Sequence, residues 1–140
     1  MREILFRGKR VENDKWVEGS FCMDATEQLS GYNGADGFIR RFTPETCKMD
    51  MFEVDRETVG QFTGLTDRNG VKIFEGDIIE YTDGCNDWLG AVKYDGDDAQ
   101  FVVRFIGGDV ESFDNLYSGD CEVIGSIYDN PELLEVSESD

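Results

Sequence analysis

Short runs of aromatic and β-branched residues, separated by glycine, asparagine or aspartate, set the rhythm of this chain. Such runs are too brief for helices and predict β-strands, because branched and ring-bearing side chains fit a pleated surface. Ile4-Leu5-Phe6 and residues 16–21 flank a polar turn at Glu12-Asn13-Asp14, which predicts a first strand pair. Residues 24–37 are polar and glycine-rich and read as an exposed loop. A short strand is expected over 38–42. A helical turn is expected to begin at Thr43, with Pro44 at its first position and Glu45 near its positive end. Phe52-Glu53-Val54 then leads into Asp55-Arg56-Glu57, read as a turn, before a strand over 58–62.

From Thr63 onwards the punctuation sharpens. Asp67-Arg68-Asn69-Gly70 is a strong tight-turn signal: aspartate bonds to the backbone ahead of it, and Asn and Gly tolerate positive φ. Gly76-Asp77 predicts a turn or bulge between segments 71–74 and 78–81. Strands over 89–94, 100–106, 110–113 and 123–128 follow as a meander, and the close spacing predicts a small barrel or rolled sheet. Asn130 is expected to cap one helical turn with Pro131 at its first position, and residues 136–140 to fray. The fold class is therefore mainly β with little helix, in an N-terminal β-rich region (1–62) and a barrel region (63–135). Trp16, Phe62, Phe74, Tyr81, Tyr94, Phe101, Phe105, Phe113 and Tyr128 mostly alternate with polar neighbours and read as the inner faces of sheets.

Composition changes the picture chiefly through charge. The 140 residues hold 31 acids against 13 bases and no histidine, a formal net charge of -18. Residues 83–140 carry 15 acids against only Lys93 and Arg104, whereas residues 1–82 carry 16 against 11 bases. Nucleic acid and anionic membranes are polyanions held by lysine and arginine, so neither is an expected partner. No apolar run is long enough for a signal peptide or a membrane span, and a cytoplasmic protein is expected. Cys22, Cys47, Cys85 and Cys121 lack the paired spacing of a zinc site and read as free, buried thiols in a reducing compartment.

Catalytic chemistry finds little purchase. Without histidine the commonest proton shuttle near neutral pH is missing. Gly64, Gly70 and Gly76 do not form a phosphate-binding loop and serve turns instead. Glu75 and Asp77 are a lone pair of nearby acids at a strand corner, too little to assign acid–base work. Asp67 with Glu75 lacks the ligand spacing of a calcium loop. Asp95, Asp97 and Asp98 form the densest acidic cluster, a site for a divalent cation in principle and a solvated loop more often. The expectation is a protein with no cofactor and no metal, and not an enzyme. Its interaction surface would lie at Trp88, in a polar loop over 83–90, and at Asp95, Asp97 and Asp98.

Three stretches together resemble the YopX family of phage and prophage proteins. They are the opening MREILFRGKRVENDKWVEGSF, the central TVGQFTGLTDRNGVKIFEGDIIEY and the closing CEVIGSIYDNPELLE. The centre is similar to the family's ordered signature, a Q-aromatic-TGL-x-D-x-NG-x-x-I-aromatic-EGDI run. The resemblance implies a β-rich fold whose C-terminal part is similar to an SH3-type barrel, self-association, and expression from a phage or prophage in a bacterial cytoplasm. It transfers no catalytic or binding residue. The function expected is a non-enzymatic, self-associating module that meets a host or phage protein. The alternative is an acidic decoy that occupies a host protein's nucleic-acid site, motivated by the charge of residues 83–140.

Overall fold

The computed structural model describes residues 4–22, 37–113 and 116–135, so the expected loop (all but Gly37) and the expected frayed tail lie outside the described residues. The chain divides into two compact units, Met1–Phe62 and Thr63–Asp140. The described residues are mainly β, in two antiparallel sheets. The first sheet has the order β1 (Phe6–Arg10), β2 (Trp16–Cys22), β3 (Phe38–Thr43), β4 (Lys48–Thr66), β5 (Lys72–Phe74), with β1 also pairing to β4. The second comprises β6 (Asp77–Thr82), β7 (Asp87–Asp95), β8 (Gln100–Phe105), β9 (Val110–Ser112) and β10 (Cys121–Ser126). Its order is β10-β6-β7-β8-β9: a meander from β6 to β9, with the last strand returning beside β6. Short 3-10 turns at Ser118–Asp120 and Pro131–Leu134 complete the described elements.

In the first unit Val17, Ile39 and Val54 form the buried core, with Phe6, Phe21, Phe52 and Val59 packed against it. Residues 44–47 are a hairpin turn, not the start of a helix. Thr43 and Lys48 already face each other across β3 and β4, so four residues suffice to reverse the chain. A single helical turn there would bear the full cost of helix nucleation. Asp55-Arg56-Glu57 does not end a strand either. β4 runs through it, and the irregularity appears as a register shift against β1, where Arg7 faces Gly60 but Lys9 faces Asp55. Thr58 holds this bulge: its hydroxyl donates to Asp55 O at 2.6 Å and accepts from Lys9 N at 2.9 Å.

In the second unit Ile73, Ile79, Val92, Val103, Phe105, Leu116 and Cys121 form one core, flanked by Leu65, Tyr81, Phe113 and Val123. Asn130 precedes a 3-10 turn as expected but does not cap it. Its Oδ1 instead accepts from Ser126 N at 3.3 Å, drawn back toward the end of β10. Of the thiols, Cys121 is buried, whereas Cys47 and Cys85 are exposed because both fall on turns, contrary to the expectation of burial. Burial first, then Asp120 and Asp67, push the Cys121 thiol up to about 11, which keeps it protonated and unreactive.

Candidate functional site

Trp88 lies inside β7 and not in a loop, and a tight turn explains why the sequence reads otherwise. Asp83 Oδ1 accepts from Cys85 N at 2.8 Å and from Asn86 N at 2.7 Å, closing the polar stretch within four residues. These amide donors, Asn86 first and Cys85 next, hold the Asp83 carboxyl below its usual range. The strand therefore resumes at Asp87, and Trp88 is placed directly opposite Tyr81. The two rings stack with centroids 5.6 Å apart at 29°. Trp88 keeps 37% of its surface exposed, the feature that separates it from core aromatics.

A third ring arrives through a glycine. Gly90 pairs with Phe105 across β7 and β8. A Cβ at Gly90 would stand 2.7 Å from Val103 Cγ1 and 2.9 Å from Phe105 Cδ1, so only glycine lets the Phe105 ring lie over β7. Phe105 is buried and tilts at 51° to Tyr81, 6.4 Å between centroids. After β8 the consecutive glycines Gly107 and Gly108, at φ of 105° and 103°, turn the chain back. Phe105 N donates to Asp109 O at 2.8 Å across that turn, which returns Asp109 and Glu111 to the same neighbourhood. Tyr81, Trp88, Phe105, Asp109, Glu111 and Leu116 line a pocket of about 280 Å³. Its interior is aromatic and aliphatic, and its charged lining groups are both carboxylates.

The acidic residues expected to join Trp88 do not. Asp95, Asp97 and Asp98 lie at the opposite end of β7, roughly 20 Å of extended strand from Trp88. Asp95 is half-buried and its Oδ1 accepts from Asp97 N at 3.0 Å, a bond within the turn itself. Asp97 and Asp98 are exposed. Among the described residues no group of three or more such side chains is arranged to hold a metal ion. A second hollow, in the first unit, is lined by Lys9, Arg10, Asp14, Glu53, Asp55 and Glu57 and mixes both signs of charge.

The sequence matches the family described as "YopX protein" over residues 5–135. The chain belongs to the YopX family. It is also similar to a solved structure, "Crystal structure of protein EF1440 from Enterococcus faecalis", at 26% identity and a TM-score of 0.52. That likeness covers 96% of this chain and 100% of the other. No curated protein matches.

The central run that resembles the YopX signature is built into turns and strand junctions, and its Leu65 and Ile73 share a core with the pocket's Phe105 and Leu116. Thr63 is buried and its hydroxyl donates to Ile73 O at 2.9 Å. Asp67 is 4% exposed; its Oδ1 accepts from Asn69 N and Val71 N at 2.8 and 2.9 Å, and its Oδ2 accepts from Val123 N at 2.9 Å. Burial alone would raise its pKa, but the amides of Val123, Val71 and Asn69, with Arg68 adding its charge, leave it lowered. Asp77 is buried and accepts from Phe74 N at 2.7 Å, so this acid of the Glu75–Asp77 pair is committed to the backbone. Gly70 and Gly76 fall on turns with positive φ as expected, whereas Gly64, also at positive φ, lies inside β4 and not in a turn. In this chain the run thus holds turns and junctions together, and the residues that line the pocket, its last residue Tyr81 apart, fall after it.

Proposed function

We propose that this YopX-family protein is a non-enzymatic interaction module that self-associates and meets a second protein through the pocket beside Trp88, in the cytoplasm of a phage-bearing bacterium. The observation that carries this reading is the pocket itself, three converging aromatic rings with two carboxylates. Aromatic side chains supply large contact area at small entropic cost and dominate the energetics of protein interfaces. The reading also takes the second unit as a small SH3-like barrel. In support, β6 to β9 form a meander, β10 returns beside β6, and a 3-10 turn precedes β10. Barrels of that kind often bind through aromatic grooves.

Self-association draws support from the first unit. Phe42, Met49 and Met51 are each about half exposed, and Phe42 faces Met49 across the β3–β4 hairpin. Light scattering across a dilution series, with Trp88→Ala and Met49→Asp as variants, tests both parts. An oligomer is expected, and Met49→Asp is expected to shift it toward monomer. Proteins retained by the immobilised wild type are expected to be lost with Trp88→Ala. A monomer at every concentration removes the self-association, and an unchanged set of retained proteins removes the pocket.

A further inference from the structure

We infer that the pocket beside Trp88 accepts the guanidinium of an arginine carried on an exposed basic segment of another protein. This rests on the interaction-module reading and specifies what that module holds. The faces of Trp88, Tyr81 and Phe105 are electron-rich and attract cations electrostatically. Asp109 and Glu111 add two carboxylates to the same lining. An apolar ligand would strip water from the exposed Asp109 carboxylate and return nothing, whereas a cation answers both the rings and that charge. About 280 Å³ lies at the small end for a ligand cavity, and suits one long side chain better than a cofactor.

Arginine fits better than lysine because its flat guanidinium stacks on rings and forks toward carboxylates, whereas an ammonium is compact and strongly hydrated. The first unit of this protein shows the same pairing. Arg7 lies 4.4 Å over Trp16, and Arg10 and Arg41 lie 4.7 and 5.0 Å from the Phe52 ring. Charge selects the source. All of the pocket's lining residues but Tyr81 fall in the segment 83–140, with 15 acids against two bases, and that local field draws basic segments in.

Isothermal titration of the full chain with a short glycine–serine peptide bearing one arginine, against the same peptide bearing citrulline, tests the inference. Citrulline keeps the shape and removes the charge, and is expected to bind about tenfold more weakly. Trp88→Ala is expected to weaken the arginine peptide by roughly tenfold, and Asp109→Asn, at an exposed position, by several-fold, with unchanged circular dichroism. Equal binding of the two peptides overturns the inference, and so does no binding of the arginine peptide at several millimolar. In either case, retained proteins that are still lost with Trp88→Ala leave the module reading standing. An arginine peptide that dissolves an oligomer of the protein itself names a second copy as occupant, and overturns the assignment to another protein.

Discussion

Asp67 shows how one residue serves as a junction. Its carboxylate closes the turn through Asn69 and Val71 and reaches Val123 on β10, 56 residues away. Asparagine has the same shape but offers one acceptor oxygen, so Asp67→Asn turns an N–H group toward one of the three amides. We expect a loss of about 1–3 kcal/mol at neutral pH. The pH dependence follows from the lowered pKa. A carboxyl that ionises more readily folded than unfolded contributes its stability above the unfolded pKa of about 3.9, and loses it as pH falls through the folded value. Urea unfolding at neutral pH and near pH 3 is therefore expected to show the gap between wild type and Asp67→Asn narrowing in acid. A gap unchanged by pH would mean that the charge of Asp67 contributes nothing.

Among the elements, β4 is where local sequence and tertiary pairing disagree most. Asp55-Arg56-Glu57 has the polarity of a turn, and its Asp55 Oδ1 does accept from Glu57 N at 3.0 Å as a turn aspartate would. Pairing with β1 on both sides nevertheless keeps the strand continuous. Thr58→Val would leave Asp55 O and Lys9 N without the hydroxyl they share, and is expected to cost about 1–3 kcal/mol in chemical denaturation, with Thr58→Ser largely restoring it. Valine as stable as threonine would show the bulge to be held by pairing alone. The strands β6 to β8 were legible in the sequence because their apolar runs are short, rich in β-branched and aromatic residues, and bounded by glycine or aspartate. Trp88 was legible as a candidate, yet its surroundings were not. Tyr81 and Phe105 read as core, Asp109 falls between the strands expected over 100–106 and 110–113, Glu111 falls inside the second of these, and Leu116 has no expected element. They meet only through the registers Tyr81 with Trp88 and Gly90 with Phe105, which periodicity does not encode. Gly90, an isolated glycine within an apolar run, was the one local sign of a close approach.

At the scale of the whole molecule, 31 acids against 13 bases make self-repulsion a standing cost of the folded state. Salt screens charges beyond about 8–10 Å at physiological strength, so raising sodium chloride from about 20 to 300 mM is expected to raise the Tm by roughly 3–5 °C. A flat response would mean that the acids are spaced too widely, or paired too well, to repel. Among the described residues no helix is long and apolar enough to cross a membrane. The second sheet has one more consequence, which bears on how the protein is made. β6, with the fully buried Ile78 and Ile79, pairs on one side with the last strand of the sheet. At about 5–20 residues per second, a ribosome delivers that partner several seconds after β6 emerges. During this interval β6 is an unpaired apolar edge, the kind that recruits strands from neighbouring chains. Any message truncated before Cys121 makes that transient state permanent.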